Sequence, residues 1–576
     1  MASVVEKTPN GTIYRAAKDY PIPDLDILTL LFDSEHSYAK PTTPLHISAA
    51  NPHLSLTTSR TRTLTHATSA ALRNHFSIGA HGAGKDIVSV ISTGHYLLPV
   101  LAYGVIGAGG VFSAASAAST VSELAKQVKG AGSKILVSCE ATVETAVRAA
   151  EEAGWGEGGG GRVLVMSEGE EWSLKIVGKN GKIEDGRKGK NLVNLEERLP
   201  WTRIVDRKEL EESLVVLIYS SGTTGLPKGV KLSHRNLVSQ AVTTGDMLKS
   251  WIKEKRPGFE YRTIAHLPTA HIAGVQGYLF NPFYVGGTVY WMPKFDFAQF
   301  LAYNERFRIT FFFTVPPIYL LIAKSPLATT QFKSLELAIS GAAPLGKDLQ
   351  YAASQKLGAG DECFIDQTWG LSETTGSTTV MQPGMHDDTG SVASLIPNMR
   401  ARLVDDDGRD VGVGEAGEVL VKGPVVCKGY YQNPDADREA FTDDGWFRTG
   451  DVAVFKNGLF YVVDRKKELI KYKGLQVAPA ELEALLLSHP DILDAAVIGV
   501  PTDDGTNEMP RAYVVVGDRG KIGADEIMQF VKGNVAGHKQ LRGGVVFLDE
   551  IPKSPAGKIL RKDLRARAEK ERGAKL

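Results

Sequence analysis

Short apolar runs alternate with helical patterns through the first 460 residues of this 576-residue chain. Ile87–Ile91, Val163–Met166 and Leu214–Tyr219 are runs that predict buried strands, and Thr142–Ala153 has the pattern of a helix. Alternation of this kind is typical of α/β layering with largely parallel sheets. We therefore expect a large α/β domain, residues 1–463, in which mostly parallel sheets are layered with helices.

The pattern changes after about Asp464, where a more compact α/β unit begins. Pro479 can occupy the first position of a helix, which Pro490 would end. Three apolar runs that predict strands follow. About 110 residues are enough for a separate small domain. We predict a small C-terminal α/β domain at residues 468–576, joined to the large one by the charged link 464–467.

Composition excludes several classes of protein. The 66 basic and 66 acidic residues cancel, which leaves no global attraction to nucleic acid or to an anionic membrane. The cysteines are Cys139, Cys363 and Cys427, and no two lie close in sequence, so neither a disulfide scaffold nor a thiolate zinc site is expected.

The segment Ile87–Ser122 carries no charge, but glycines and Pro99 interrupt it. It predicts a buried strand, helix and strand, not a membrane span.

The two ends of the sequence differ in their resemblance to targeting signals. The N-terminal segment has no basic start followed by an apolar run, so it does not predict a secretory signal. The last three residues, Ala574–Lys575–Leu576, are a variant of the Ser-Lys-Leu peroxisomal address. We expect a peroxisomal protein that is recognised by an import receptor through this tripeptide. Cytosol is the alternative.

The segment from Tyr219 to Val230 has the composition of a phosphate-binding loop. It follows an apolar strand, and small residues there let backbone N–H groups and hydroxyls converge on phosphate oxygens. Lys228 adds a cation. It is not a Walker loop, because Gly229 stands where that motif has Ser or Thr. The predicted phosphate ligands are Ser220, Ser221, Gly222, Thr223, Thr224, Gly225 and Lys228.

This loop, YSSGTTGLPKGV, resembles the signature of the acyl-adenylate-forming superfamily, which includes acyl-CoA synthetases, 4-coumarate–CoA ligases, firefly luciferase and peptide-synthetase adenylation domains. Other segments agree with the family in the same order: LPTAHIAG, SGAAPLG, QTWGLSETTG, WFRTGD, VDRKKELIKYKGLQVAPAELE and PKSPAGKILRKDLR. The likeness is greatest to the branch of 4-coumarate–CoA ligase and luciferase. It implies an acid–CoA ligase that uses ATP, Mg²⁺ and coenzyme A.

The chemistry explains why such an enzyme needs many charged groups. A carboxylate does not react with a thiol at neutral pH, because its leaving group is poor. Transfer of AMP to the acid expels pyrophosphate and gives a mixed anhydride with a good leaving group. The protein must therefore hold two anions together and neutralise the charge that develops at the α-phosphate.

The resemblance assigns nucleotide-site roles to particular residues. It implies that Glu373, with Thr224, holds Mg²⁺, and that Ser372 meets the α-phosphate. Trp369 would lie against adenine, Asp451 would accept hydrogen bonds from the ribose, and Arg465 would be a second anchor. Further ATP or AMP contacts that it implies are Ala342, Gln367, Thr368, Gly370 and Lys558.

Catalytic and CoA-binding roles follow from the same resemblance. Lys558 would bridge the acid and the α-phosphate, although by itself it is one of eight cations in a basic tail. His271 would orient the carboxylate. Lys471 and Gln476 would support the two half-reactions, and Lys473–Gly474 would face the pantetheine channel. In the family the small domain rotates between half-reactions, which would place a hinge within residues 464–467.

The acid pocket that the resemblance implies is lined by small residues. Where 4-coumarate ligases often carry an aromatic residue before the histidine, this chain has Ala270. This departure favours a bulkier aryl acid or a medium-chain acid, although backbone packing could demand the same small residues. The pocket residues are Ala270, His271, Gly274, Gly277, Gly341 and Gly370.

Three other functions fit parts of this pattern. A stand-alone adenylating enzyme would load a carrier protein instead of CoA, and a luciferase-like oxygenase shares the same motifs. A binding or scaffold protein with an inactive site is disfavoured, because the chemistry-bearing residues are all present: Lys228, Glu373, Asp451, Arg465 and Lys558.

Overall fold

The computed structural model of the chain describes residues 2–8, 11–178, 190–220, 227–358, 363–473, 475–502, 506–518, 520–554 and 557–573. Its largest sheet has seven strands, of which the five central ones run parallel and the two edge strands are antiparallel to their neighbours. In spatial order these strands are Lys228–Ser233, Leu214–Ser220, Val111–Ala115, Ile87–Ile91, Ile135–Ser138, Val163–Met166 and Leu174–Ile176.

Two smaller sheets complete the parallel part of the fold. The first has three parallel strands and one antiparallel edge strand: Arg262–Ala265, Thr288–Trp291, Pro44–Ser48 and Ser55–Thr57. The second is wholly parallel and consists of Phe311–Thr314, Leu337–Ser340 and Ile365–Gln367. Strands Leu337–Ser340 and Ile365–Gln367 of this second sheet end next to segments that the sequence assigned to the active site, so the fold gathers those segments at one edge.

A six-stranded antiparallel sheet lies beside these parallel layers. Its strands in spatial order are Val4–Thr8, Gly11–Arg15, Arg400–Val404, Ala416–Lys422, Phe447–Lys456 and Leu459–Arg465. Two short hairpins, Gly370–Leu371 with Gly376–Ser377 and Thr379–Val380 with Ser394–Leu395, lie between it and the parallel strands in sequence. The last two long strands carry Asp451 and Arg465 to adjacent positions.

Helices cover the sheets. The α-helices of the large part are Ile27–Phe32, Thr58–Phe76, Leu98–Gly107, Val121–Ala131, Val143–Glu152, Arg207–Glu212, His234–Glu254, Ile272–Gly274, Asn281–Tyr284, Phe297–Arg306, Pro316–Lys324, Lys347–Ser354 and Pro434–Ala440. Single turns of 3₁₀ helix lie at Glu140–Thr142 and Ser372–Thr374, and Val275–Phe280 is π-helical. Glu157–Gly161 is a turn in which Gly158, Gly159 and Gly160 have positive φ angles. Ser233 and Asn236 form a capping box, so the strand that follows the phosphate loop leads directly into helix His234–Glu254.

The long uncharged segment is a buried strand, helix and strand, as the sequence predicts. All ten residues of helix Leu98–Gly107 are buried, and so are the flanking strands Ile87–Ile91 and Val111–Ala115. Within the part of the chain that the structure describes, no helix is both long and apolar enough to cross a bilayer.

The C-terminal part has its own sheet and its own hydrophobic core. Strands Ile492–Pro501, Glu508–Val516 and Val545–Phe547 form the sheet, and Ile470–Tyr472 pairs with Leu475–Val477 in a separate hairpin. Its helices are Pro479–Ser488, Ala524–Asn534 and Arg561–Gly573, with a 3₁₀ turn at Gly537–Lys539. A core that includes Ile470, Leu482, Val497, Val514 and Val531 is separate from the large core. Mixed α/β layering with a distinct small C-terminal domain is therefore confirmed.

The predicted link between the domains falls at the end of the antiparallel sheet. Asp464 and Arg465 are the last residues of their strand, and Lys466 and Lys467 lie in the turn that follows. The Asp464 carboxylate accepts hydrogen bonds from the peptide N–H groups of Arg465 and Ala480. The boundaries 1–463, 464–467 and 468–576 stay predictions.

Candidate active site

A cavity of ≈ 640 Å³ opens between the large domain and the small one. Its size is typical of small-molecule sites. The large domain contributes the segment after strand Leu337–Ser340 and the residues after strand Ile365–Gln367, and the small domain contributes helix Pro479–Ser488 and the turn that carries Lys558. The residues of the sequence-based prediction that line this cavity are Ala342, Gln367, Thr368, Trp369, Gly370, Asp451, Arg465 and Lys558.

Trp369, Asp451 and Arg465 form a framework in the cavity that consists of one hydrogen bond and one ion pair. The Trp369 indole Nε1–H donates to Asp451 Oδ2 at 2.8 Å, and Arg465 Nε lies 3.3 Å from Asp451 Oδ1. Asp451 is only 5% exposed. Because a carboxylate can accept about four hydrogen bonds, each oxygen keeps capacity for another donor such as a ribose hydroxyl. The indole ring is fixed at its edge, and the arrangement can hold a nucleoside.

Lys558 reaches this cavity from a tight turn of the small domain. The peptide N–H of Ser554 donates to the Lys558 carbonyl at 2.7 Å, and Lys558 N–H donates back to Ser554 Oγ at 3.2 Å. Gly557 has φ +77°, and a Cβ there would lie 3.3 Å from both Val315 and Pro317 of the large domain. A glycine is therefore favoured at 557 both by the backbone angle and by the close approach.

The charges around Lys558 are mixed. Burial and the neighbouring Arg465 cation lower the pKa of Lys558 to about 8, although the carboxylates of Asp451 and Glu373 oppose this change. The ammonium group is thus charged at neutral pH and close to losing its proton in mild alkali. It can neutralise an anion in this cavity and is poised to respond to one.

Glu373 lies in the single 3₁₀ turn Ser372–Thr374 and is buried. The hydroxyl of Tyr430 donates to Glu373 Oε1 at 2.9 Å. Lys228 Nζ lies 5.0 Å from the centre of the same tyrosine ring. Sequence reasoning missed Tyr430, because a tyrosine between a glycine and another tyrosine has no feature that separates it from a core aromatic residue.

The phosphate loop is described only at its two ends. Ser220 and Lys228 face each other as the last pair of the antiparallel ladder between Leu214–Ser220 and Lys228–Ser233. The two ends of the loop are therefore held together by strand pairing. Of the residues predicted there, Ser221, Gly222, Thr223, Thr224 and Gly225 lie outside the described residues.

Two neighbouring segments form the wall of the cavity near Trp369. Ala342 adopts φ +70°, a left-handed conformation that costs a non-glycine residue roughly 1 kcal/mol. The Gln367 amide holds this loop, since it accepts from Leu345 N–H at 3.2 Å and donates to the Leu345 carbonyl at 3.0 Å. Gln367 thus positions the loop. The hydroxyl of the neighbouring Thr368 donates to the Thr379 carbonyl. Ser372, further along the same segment, is half-buried beside Glu373.

The four predicted pocket glycines fall into two classes. A Cβ at Gly274 would lie 2.3 Å from the Pro268 carbonyl oxygen, and one at Gly370 would lie 1.9 Å from that of Gly376. At Gly341 it would lie 2.7 Å from the Phe313 ring. Packing requires these three glycines. A Cβ at Gly277 would meet nothing within 4 Å, so this glycine borders open space.

His271 precedes the helical stretch that contains two of the pocket glycines, Gly274 and Gly277. Its Nδ1 accepts a hydrogen bond from the Ala273 N–H at 3.2 Å, so the proton of the neutral ring is on Nε2. Burial lowers the pKa of His271 to about 4, and the nearby Lys558 ammonium adds to this effect. His271 is therefore a neutral hydrogen-bond donor at physiological pH. The half-buried Ala270 precedes it.

The residues predicted to face CoA and to support the two half-reactions lie elsewhere. Lys471 and Gln476 face each other in the hairpin of Ile470–Tyr472 and Leu475–Val477, and both are exposed. Lys473 N–H donates to Asn507 Oδ1 at 2.7 Å, and Gly474 lies outside the described residues. Lys471, Lys473 and Gln476 are not among the described residues that line the cavity.

Comparison with known proteins shows relatives along most of the chain. The AMP-binding enzyme family model matches residues 39–431, and the model of the AMP-binding enzyme C-terminal domain matches residues 481–558. An Emericella nidulans protein named as an acyl-coenzyme A synthetase is 49% identical over 568 residues, which cover 98% of this chain and 100% of the relative. The phenylacetyl-CoA ligase epaB of Aspergillus niger is 34% identical over 94% of this chain and 96% of its own length.

Two solved structures have the same fold as this chain over most of its length. ATP-bound MatB from Rhodopseudomonas palustris superposes with a TM-score of 0.76 at 26% identity, covering 94% of this chain and 98% of that one. A benzoate CoA ligase from Burkholderia xenovorans has the same fold, with a TM-score of 0.74 at 23% identity over 94% of this chain and 99% of that one.

Proposed function

This chain belongs to the family of AMP-binding enzymes, and we propose that it is an ATP-dependent acid–CoA ligase. A carboxylate oxygen attacks the α-phosphorus of ATP, and pyrophosphate leaves to give an acyl-AMP. The thiol sulfur of CoA then attacks the acyl carbon, and AMP leaves to give an acyl-CoA. ATP and CoA are the cosubstrates that this family membership and these relatives support.

The meeting of Lys558 with the Trp369–Asp451–Arg465 framework in one cavity carries this proposal. The framework can hold the nucleoside, and a lysine from the other domain supplies a cation where the acid and the α-phosphate would meet. Neutral His271, whose pKa is lowered by burial and by the Lys558 ammonium, can donate from Nε2 to a carboxylate oxygen. A group of donors aimed at developing negative charge is the arrangement that favours transfer at phosphorus.

We propose that Mg²⁺ accompanies ATP at Glu373, with Thr224 as a second oxygen ligand. The donor set fits, because Mg²⁺ is usually held by one or two carboxylates together with substrate phosphates and waters. When bound, Mg²⁺ would neutralise phosphate charge.

We propose an aryl or medium-chain monocarboxylic acid as the substrate. The open space in front of Gly277 and the small side chain of Ala270 support room for such an acid. One relative, named as a phenylacetyl-CoA ligase, and another, the 4-coumarate–CoA ligase 3 of Oryza sativa, act by name on aryl acids.

The test is pyrophosphate release with a panel of cinnamates, phenylacetates and C6–C12 acids, followed by detection of acyl-CoA after CoA is added. We expect acid-dependent release of pyrophosphate and formation of the matching thioester. Gly277→Val should lower kcat/KM most for the largest acids, whereas Gly130→Val, another helical glycine that borders open space, should leave the preference unchanged. ATP consumption without formation of acyl-AMP from any acid in the panel would contradict the proposal. If only a carrier protein can accept the acyl group from acyl-AMP, that carrier would replace CoA as the acceptor.

We propose a peroxisomal location on the ground of the C-terminal Ala574–Lys575–Leu576, which lies outside the described residues. A fluorescent fusion that keeps this C-terminus should enter peroxisomes, and removal of the three residues should leave it in the cytosol. Uptake that is independent of the tripeptide would contradict an import receptor at this site.

A further inference from the structure

Tyr430 touches two charged groups that come from distant parts of the sequence. Its hydroxyl donates to Glu373 Oε1 at 2.9 Å, and Lys228 Nζ lies 5.0 Å from its ring centre. Tyr430 is 7% exposed, so both contacts are made in a largely buried setting. A hydrogen bond to a charged group and a cation over an aromatic face are both stronger away from water.

The backbone around Tyr430 is bound to the same two elements. Lys231 N–H donates to the Gly429 carbonyl at 3.0 Å, and Tyr431 N–H donates to the Gly229 carbonyl at 2.7 Å. These bonds join the segment to the strand that follows the phosphate loop. Cys427 N–H donates to the Glu373 carbonyl at 2.7 Å, which joins the same segment to the Glu373 turn.

One short segment, residues 427–431, therefore ties the strand that begins at Lys228 to the turn that carries Glu373. The side chain of Tyr430 extends this tie from the backbone to the two charged groups. Because its hydroxyl occupies Oε1, the orientation of the Glu373 carboxylate is fixed and Oε2 is left for another partner. Rotation of the carboxylate would break this bond.

We propose that Tyr430 is a positioning residue for the triphosphate site, where it holds the Glu373 carboxylate and the Lys228 ammonium in a fixed relation. This inference rests on the proposed function, since it assumes that Glu373 serves the metal of a nucleotide–metal complex. Loss of the hydroxyl should loosen the carboxylate, and loss of the ring should also release the lysine. Metal affinity and ATP affinity should then respond to different substitutions.

Two variants separate the roles. Tyr430→Phe removes the hydroxyl and keeps the ring, and Tyr430→Leu removes both. Tyr431→Phe is the matched control, because it removes a tyrosine hydroxyl from the next position while the bond to Glu373 stays. The readout is Mn²⁺ binding to the enzyme in the presence of ATP and the absence of acid. It is monitored through the electron paramagnetic resonance signal of free Mn²⁺ and does not depend on turnover.

We expect Tyr430→Phe to raise the Mn²⁺ dissociation constant about tenfold, the lower end of what loss of a partner that orients a metal ligand costs. The KM for ATP at saturating Mg²⁺ should change by less than about threefold in Tyr430→Phe. Tyr430→Leu should raise it by about tenfold, a loss between those of an exposed and of a desolvated cation–π contact. Tyr431→Phe should match the parent protein in both measurements.

A double-substitution cycle guards against a purely structural effect. If Tyr430 acts through Glu373, adding Tyr430→Phe to Glu373→Gln should weaken Mn²⁺ binding no further. Equal Mn²⁺ affinity in the parent and Tyr430→Phe, an equal loss in Tyr431→Phe, or additive losses in the double variant would each overturn the inference. Absence of acid-dependent pyrophosphate release by the parent protein would instead overturn the proposed function.

Discussion

Two segments of the small domain that the sequence assigns to catalysis have opposite surroundings. The turn of Lys558 approaches Val315 and Pro317 of the large domain closely at Gly557, and its lysine lies in the cavity. The side chains of Lys471 and Gln476 are exposed, and their hairpin is hydrogen-bonded within its own domain, where Lys471 N–H donates to Glu508. The structure therefore places the lysine expected for adenylation in the cavity and leaves outside it the two hairpin residues expected to support both half-reactions.

This contrast has a simple geometric consequence. Both segments belong to one small domain, which approaches the large one closely, since a Cβ at Gly346 of the large domain would lie 2.9 Å from Ala484 Cβ. If the hairpin is to reach the same cavity, the small domain must turn and withdraw Lys558. The two half-reactions should therefore separate under substitution.

Lys558→Ala should break the contrast most strongly. A cation about 4 Å from an anion gains roughly 4 kcal/mol at an effective dielectric near 20, which corresponds to about a thousandfold in rate. We expect pyrophosphate release to fall by about that factor, while conversion of supplied acyl-AMP to acyl-CoA stays within about threefold. Equal losses in both assays would show that Lys558 does not serve adenylation alone. Because Gln476 lies outside the cavity in this arrangement, Gln476→Ala should instead spare pyrophosphate release more than thioester formation.

The pH dependence of adenylation should sharpen the same comparison. The pKa of Lys558 is lowered to about 8, so the ammonium is present below that pH and is lost as pH rises through it. We expect kcat/KM for ATP to fall about tenfold for each pH unit above about 8, because this parameter reports ionisation in the free enzyme. Thioester formation from supplied acyl-AMP should lack this decline, and an alkaline limb that persists in Lys558→Arg would assign it to another group.

The outcome of the sequence analysis differs between these regions for physical reasons. Strands such as Ile87–Ile91 and Val163–Met166 are predicted with their observed bounds, because buried parallel strands are short, uniformly apolar runs. The antiparallel sheet that carries Asp451 and Arg465 was not predicted as a unit. Its partners are as far apart as Tyr14 and Ala401, and such pairing leaves no local pattern.

The candidate site shows the same limit at the level of single residues. Lys558 and Asp451 could be named from the resemblance, but their shared cavity depends on the packing of two domains. Gly274 and Gly277 look alike in sequence, although one is required by the Pro268 carbonyl and the other borders open space. Tyr430 was missed because its importance comes only from its contacts with Glu373 and Lys228.

Lys467→Pro should test the predicted link with the smallest effect. Lys467 is exposed in the turn, and its peptide N–H makes no hydrogen bond within the described part of the chain, whereas the neighbouring Lys466 N–H donates to the Gly450 carbonyl. A proline at 467 therefore removes backbone freedom without removing a bond. We expect the rate of adenylation to change by less than about threefold and the rate of thioester formation to fall about fivefold, since only the second step needs the domain to turn. Lys467→Ala is the matched control for loss of the charge, and a proline variant that slows adenylation more than thioester formation would place the hinge elsewhere.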